Sequence, residues 1–482
     1  MIWSRLFFFP ALFCCCLLHA QDINGYYQEN YSGIAGAAFN PASLSDNNYS
    51  LDILLGGIAL EAGNNYAGVR RSDIFRADFN NSLLLRRDWQ TKKAGFARAS
   101  ILLPGMMMSN EKMGWGIDMR IRTYVNIDGV EQKLAHTLSY ELNDPPYFGQ
   151  SMHNRHIGVT GLSWFEINGT YAKTIRSGGD SYLAAGIRPK LLWGLGAAYA
   201  FVNDANYIFY NDSTLNVDAA NARFGHSDNF TFNSAFQPSW KLRFNPGLGV
   251  DAGIVYEHRP ATLQQDAGKF RPWPGFRKRP NYDYRIGVAL TDLGAIFFRH
   301  GELSDDYEAG ANSWDLNNPV FDSTAPPPLY ATFKQRVGGS KQGKAFLMRL
   351  PLALSINYDR RITKDIYINA TAFTALYLRN VNAKRVHELT RLSITPRWER
   401  RWFGFWMPLT FTRLGNFTLG SGLRFGPLVI GTNDILVYLL PDKKIYSADF
   451  YVLLKVPLFP AGKKGSGWKP KSSHGNVDDC AN

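Results

Sequence analysis

The chain has 482 residues, a formal charge of +13, 44 glycines, 14% aromatic residues and only 19% charged ones. Beyond its first twenty residues the longest apolar run, Leu191–Val202, has twelve residues and two glycines, well short of the ~20 that a spanning helix requires. No 3.6-residue apolar stripe is sustained anywhere, so helical membrane spans and helical bundles are excluded and many short-period strands remain.

In chain order, Arg5 precedes an apolar run from Leu6 to Leu18 that ends at Ala20, with Gln21 and Asp22 opening a polar chain. This reads as a secretory signal over residues 1–20, and the protein is expected to leave the cytoplasm. Cys14, Cys15 and Cys16 would go with it, while Ala11 to Phe13 make a poor lipoprotein box. Only Cys480 is then left, which rules out an intramolecular disulfide and a cysteine-based metal site. For an exported chain the positive charge points to anionic lipid or lipopolysaccharide as the partner rather than to nucleic acid.

Next comes "YSGIAGAAFNPASLSD", Tyr31 to Asp46, crowded with Gly33, Ala35, Gly36, Ala37 and Ala38. Such small residues permit close backbone packing, and Pro41 fixes a turn before a first strand expected from Tyr49. From there alternation dominates. In "MGWGIDMRIRTYV" Met113, Trp115, Ile117, Met119 and Ile121 share one face, and Gly114, Gly116, Asp118, Arg120 and Arg122 the other. The same division recurs at Leu183–Tyr199, which places Arg188 with Lys190, and in "GLGVDAGIVYEH", where Gly247, Gly249, Asp251, Gly253 and Glu257 oppose Leu248, Val250 and Ile254. Further copies lie at Tyr284–Thr291, Leu350–Asp359, Ile366–Arg379, Thr390–Glu399, Phe417–Phe425 and Tyr446–Leu458.

A soluble sandwich and an outer-membrane barrel both produce this pattern. Three features favour the barrel. Stretches such as Lys112–Val130 are longer than soluble strands and reach the ~9–11 residues that cross a bilayer. Full charges sit mid-strand on the polar face, which suits a wet interior. Aromatics gather at strand ends, most clearly in "WERRWFGFW", where Trp398, Trp402, Phe403, Phe405 and Trp406 surround an expected turn at Gly404. Short turns at Ser177–Asp180 and Asp442–Lys444 contrast with long polar segments at Tyr140–Arg155, Asn203–Phe224, Arg259–Asn281 and His300–Lys344, all expected as external loops. One of these holds the basic run Lys269, Arg271, Arg277, Lys278 and Arg279, a candidate contact for an anionic surface polymer.

The signal, the "YSGIAGAAFNPASLSD" element, the strand "YSLDILLGGIAL" and the later "GLGVDAGIVYE" and "YDYRIGVALTDLGAIFF" together resemble an uncharacterised family of outer-membrane barrels found in Bacteroidota. That family is distantly similar to the long-chain fatty acid transporter type of barrel. There an Asn-Pro-Ala element near the mature N-terminus belongs to a segment folded inside the barrel as a plug, and Asn40, Pro41 and Ala42, followed by Ser43, match it. Gly422 to Leu428 also resembles barrels of gliding-motility and secretion systems in the same bacteria. One departure is the end of the chain: Phe459 is followed by a polar tail, not by a terminal aromatic residue.

Chemistry finds little support. There is no Gly-x-Ser-x-Gly elbow, since Gly161-Leu-Ser163-Trp-Phe165 lacks the second glycine, and His153 with His156 lacks a third metal ligand. No cofactor and no enzymatic activity are expected. The expected architecture is all-β: an antiparallel transmembrane barrel of about 14 strands over residues 49–459, a plug over residues 21–48 and a polar basic tail over residues 460–482. Asp118, Arg120, Arg122, Arg188, Lys190, Asp251 and Glu257 are expected to face its lumen. The expected role is passive transport of a small hydrophobic solute; the rival is a closed barrel that docks secretion or surface-assembly proteins.

Overall fold

Strict alternation lets one strand face two environments at once, and a ring of such strands leaves no unpaired edge. In the computed structural model fourteen of them close into one antiparallel ring. The structure describes residues 23–73, 84–85, 92–140, 143–212, 214–232, 238–265, 281–301, 304–315, 340–376, 383–440 and 443–456. The signal, the cysteines and the tail of the sequence reading lie outside these residues.

The wall strands are β1 (Leu51–Asn64), β2 (Lys92–Leu102 with Gly105–Ser109), β3 (Met113–Glu131), β4 (Ser151–Gly178), β5 (Ser181–Phe209), β6 (Pro246–His258) and β7 (Tyr284–Arg299). They continue with β8 (Ala345–Arg349 with Ala353–Arg361), β9 (Ile366–Ala375), β10 (Arg391–Glu399), β11 (Phe403–Trp406 with Leu409–Thr412), β12 (Phe417–Leu419 with Ser421–Phe425), β13 (Leu428–Thr432) and β14 (Ser447–Val456). Each pairs with its successor, and β14 closes the ring on β1 through Ile53↔Val456 and Leu54↔Lys455. Pro104 and Pro351 stand at the breaks inside β2 and β8, as expected of residues that cannot donate to a ladder.

Burial follows the alternation. On β3 Ile117 is 48% exposed and its neighbour Asp118 only 1%, so the apolar face is the outer one. Leu191, Leu248, Ile254, Leu347, Leu392 and Ile394 continue that outer apolar band around the ring.

Connections divide the barrel into two ends. Residues 110–112, 179–180, 362–365, 400–402 and 426–427 turn tightly at one end. Residues 65–91, 132–150, 210–245, 300–344, 376–390 and 433–446 join strands at the other. Several expectations are corrected here. His258 pairs with Ser181, next to the tight turn after Gly178, so residues 259–283 leave the barrel at the short-turn end and not with the long loops. The basic run Lys269–Arg279 itself lies outside the described residues. Asp442–Lys444 belongs to the long-loop end. Asn203–Phe224 is not a loop: β5 runs on to Phe209, Thr214–His226 returns beside it, and Asp305–Asp315 adds a further strand, so the sheet stands well beyond the ring. The turn near the tryptophans is residues 400–402, with Arg400 N–H donating to the Phe403 carbonyl, and Gly404 is inside β11. The first strand starts at Leu51 rather than Tyr49.

The two faces predict opposite responses. Ile117→Arg puts a charge on the outer band, which costs ~2–4 kcal/mol near a bilayer midplane, and should abolish the heat-modifiable gel band of an assembled barrel. On the inner face a Cβ at Gly114 would fall 2.1 Å from the Leu44 carbonyl oxygen. Gly114→Val should therefore assemble poorly too, whereas Gly178→Ser, with nothing within 4 Å of its Cβ, should migrate as wild type.

Candidate functional site

The lumen is filled in tiers, and β3 reads off their order. Its inward residues from the short-turn end are Gly114 and Gly116, then Asp118, Arg120 and Arg122, then Tyr124, Asn126 and Asp128. Each set touches something different.

The lowest tier holds residues 23–48. Gly33–Ala38 and Pro41–Leu44 form two short 3-10 helices, nearly all of whose residues are buried. Gly33 has φ +61°, and a Cβ there would meet the Asp52 carboxylate at 1.9 Å; only glycine fits both constraints. Asn40 caps the second helix: its Oδ1 accepts from the Ala42 N–H at 3.0 Å, and its Nδ2 donates to the Ile254 carbonyl at 3.0 Å. Pro41 occupies the first helical position, where a missing N–H costs nothing. The segment rests on strand glycines. A Cβ at Gly186 would lie 2.5 Å from Ala42 N, one at Gly253 would lie 2.3 Å from Asn40 Oδ1, and one at Gly116 would lie 2.6 Å from Ile34 Cδ1. Ser43 contributes its carbonyl, which accepts from Asn47 Nδ2 at 3.0 Å.

Ion pairs pin this segment at both ends. Glu29 takes two or more hydrogen bonds from Arg424 at 2.7–2.9 Å, with both side chains fully buried. Arg424 also lies 4.8 Å from the Tyr31 ring and donates to the carbonyls of Arg400 and Arg401 in the turn. Burial pushes the Tyr31 hydroxyl up to about 12. At the other end Asp46 pairs with Arg259 at 2.8 Å; Arg259 is held in turn by Glu257 at 2.6 Å and stacks 3.7 Å over Tyr182. Tyr282 hydrogen-bonds Asn30 at 3.0–3.1 Å, and Arg285 donates to the Gln28 carbonyl at 2.8 Å. Arg259 and Tyr282 are the two feet of the 259–283 connection, so that connection grips the inserted segment at both of its ends.

Above it lies a charged tier. Asp118 accepts from Arg188 at 2.8 Å and Arg120 at 2.9 Å; Lys190 pairs with Asp251 at 2.8 Å and also with Asp292; Arg122 pairs with Asp292 at 2.8 Å and Glu166 at 3.5 Å. Six of the seven residues expected in the lumen thus form one network. Glu257 stands apart, beside Arg259 and the inserted segment. Alternation alone missed Asp292: its φ of 61° at the β6–β7 bulge shifts the facing pattern by one and aims it inward. Such a bulge carries no sequence signal beyond the Asp-Leu-Gly that follows Thr291.

The third tier also went unseen in the sequence. Residues 383–390, between β9 and β10, dip into the ring from the long-loop end, with Val386, Glu388 and Leu389 buried. Glu388 pairs with Arg98 of β2 at 2.5 Å and accepts from the Tyr124 hydroxyl at 2.6 Å. The His387 N–H donates to Asn126 Oδ1 at 2.9 Å, and its ring meets Asp128 at 2.7 Å. Beside this segment lies an apolar cluster of inward side chains, including Leu162, Trp164, Leu192, Phe298, Met348 and Leu350.

The residues weighed for catalysis are dispersed. His153 faces Asp204 at 2.8 Å on an exposed strand, and Ser163 Oγ meets Thr123 Oγ1 at 2.9 Å. Among the described residues no three His, Cys, Asp or Glu side chains are grouped to hold a metal ion.

Residues 41–433 match the family of unknown function DUF5723. The chain belongs to that family. A search of curated proteins finds no match. Among solved structures the toluene transporter TbuX of Ralstonia pickettii aligns at TM-score 0.37 and 8% identity, over 87% of this chain and 91% of that one. A TodX deletion mutant, described as a monoaromatic hydrocarbon channel, aligns at 0.42 and 7%, over 88% and 94%. A FadL homologue of Pseudomonas aeruginosa aligns at 0.30 and 10%, over 87% and 93%. The architecture of this family member is a transmembrane-type β-barrel of fourteen strands with an occupied lumen.

Removing one partner of a buried ion pair costs ~3–5 kcal/mol, so Glu29→Ala should loosen the inserted segment more than any exposed substitution does. In a Cys480→Ser background, the buried Ala37→Cys should resist a thiol reagent on the purified barrel, and adding Glu29→Ala should expose it. Equal labelling with and without Glu29 would show that this pair is not what seats the segment.

Proposed function

We propose that this is a bacterial outer-membrane barrel that passes small hydrophobic solutes through a lumen held shut by residues 23–48, as its resemblance to Bacteroidota barrels implies. The observation that carries this reading is the apolar tier. A water-filled channel lines its interior with polar groups; here Leu162, Trp164, Leu192, Phe298 and Leu350 face inward on the long-loop side of the charged tier. A greasy solute gains ~25 cal/mol per Å² buried there, whereas an ion or sugar gains nothing. In this reading the long-loop end faces outward, the 259–283 connection faces the periplasm, and lipopolysaccharide surrounds the outer rim. Release of Asp46 from Arg259 or of Glu29 from Arg424 would free the inserted segment to shift.

A second reading has one observation of its own. Asn40 to Ala42 lie directly on Gly186 and Gly253, which leaves no passage on that side of the segment. A barrel closed in this way would serve as a dock for secretion or surface-assembly proteins, with the extended sheet of β4, β5 and the strand Thr214–His226 as its platform.

Solute uptake separates the two. A deletion strain should take up small hydrophobic solutes more slowly than a complemented one, and Phe298→Glu, which buries an unpaired charge costing several kcal/mol, should reduce uptake by at least about tenfold while the barrel still assembles. Assembled wild-type, deleted and Phe298→Glu strains with one uptake rate would leave the docking reading standing. Orientation has its own check in a Cys480→Ser background: an impermeant thiol reagent should reach Gly343→Cys in intact cells but Gly178→Cys only after the outer membrane is broken. The reverse pattern would invert the barrel.

A further inference from the structure

Residues 383–390 form a strap that crosses the ring. One end is fixed to the top of β10 and its neighbours, where Arg413 N–H donates to the Thr390 carbonyl at 2.9 Å and Ala375 N–H to Thr390 Oγ1 at 3.3 Å. The other end is laid on β8, where Arg349 N–H donates to the Lys384 carbonyl at 3.0 Å, and on β5, where the Lys384 amino group lies 4.6 Å from the Tyr199 ring. Between these anchors the strap reaches β2 and β3, on the far side of a fourteen-strand ring from β9 and β10. Its central contacts are the Glu388–Arg98 pair, the Tyr124 hydroxyl on Glu388 and the two-way bonding of His387 with Asn126, whose Nδ2 donates to the His387 carbonyl at 3.1 Å. A surface loop has water for its polar groups. This one has exchanged water for side chains of the opposite wall, an arrangement stable only while those partners stay in place.

We propose that this strap is a second barrier, closing the lumen from the long-loop end independently of residues 23–48, with Glu388–Arg98 and Glu388–Tyr124 as its latch. The charged tier joins the two barriers. Arg122 lies 3.7 Å from Glu388 and 2.8 Å from Asp292, and Asp292 leads through Lys190 and Asp251 to Arg188 and Asp118, directly above the glycines on which the lower segment rests. Opening the lumen end to end therefore takes two releases, and clearing the lower segment alone leaves the barrel shut. This goes beyond the solute reading and does not need it, because a barrier has to be present whatever the barrel carries.

The test uses the full chain with Cys480→Ser and a reporter beneath the strap. Leu192 pairs with Glu166, which pairs with Arg120, four residues below Tyr124 on β3. In intact cells Leu192→Cys should react slowly with an impermeant thiol reagent. Adding Glu388→Ala with Tyr124→Phe should speed that reaction by about tenfold or more, ~1.4 kcal/mol, because it removes the strap's bonds to β2 and β3 while Arg98 stays paired with Glu61 at 3.1 Å. Equal rates with and without the latch would overturn the proposal. A second measurement, ion conductance of the purified barrel in planar bilayers, covers the case in which the reporter disturbs packing. Residues 23–48 deleted alone should leave the barrel closed, and the same deletion with the latch variants should open it. Full conductance after the first deletion, or none after both in a barrel that is heat-modifiable, would also overturn it. None of these measurements uses a hydrophobic solute, so a failure of uptake and a failure of the strap are read separately.

Discussion

A ring of fourteen strands is too wide for its inward side chains to meet across it; about eight strands is the size at which side chains alone fill the interior. Any such barrel that is not an open pore has to take chain into its lumen, and that requirement organises this molecule. One insert comes from the N-terminal side at the short-turn end, another from the β9–β10 connection at the long-loop end, and the wall is shaped to receive both. Where the first insert presses on the wall, Gly114 and Gly186 leave room for its backbone and Gly116 and Gly253 for the side chains of Ile34 and Asn40. Glycine weakens a strand in isolation, so its repetition at inward positions marks where chain, not solvent, is the neighbour.

The charged tier follows from the same geometry. Between the inserts, side chains must reach one another from separate strands, and long cationic residues span the gap: Arg188 from β5 reaches Asp118 of β3, and Arg122 of β3 reaches Asp292 of β7. Taking these ions from water is costly, and each pair is weak evidence of net stability by itself. Their effect is to fix geometry, because removing any one upsets the balance of opposite charges that the buried members share. The network therefore resists partial opening, and a change at one insert is felt at the other through a short series of contacts.

How much of this was legible depends on the period of each signal. Two-residue alternation identified the inward side of β3 and β6 and, on β5, of Arg188 and Lys190, and with it Asp118, Arg120 and Asp251. It failed where a bulge adds a residue, as at Asp292. The strap was illegible for a different reason: "AKRVHELT" has no periodicity, and its partners Arg98, Tyr124 and Asn126 are more than 250 positions away. The side of residues 259–283 was misjudged although the information was present. A single crossing strand, Tyr284–Arg299, separates that connection from residues 300–344, and one crossing has to put the two at opposite ends. Parity is set by topology, whereas loop length is only a tendency.

That parity changes the meaning of the connection. A long segment among tight turns is unusual for a barrel of this type, and here its two feet, Arg259 and Tyr282, are the residues that hold Asp46 and Asn30 of the lower insert. The insert's attachment to the wall is thus shared between the rigid ring, through Arg424 and Gly186, and a connection that is not itself part of the ring. Arg259 is also paired with Glu257 and stacked on Tyr182 of the wall, so the connection, the insert and the ring share one set of contacts. The strap is held on β2, β3, β8 and β10 of the wall, and its Lys384 amino group also donates to Gln342 Oε1 at 3.4 Å, in the 300–344 connection. Each barrier is thus bonded both to the ring and to a connection outside it, the lower one through Arg259 and Tyr282 at the short-turn end and the upper one through Lys384 and Gln342 at the long-loop end.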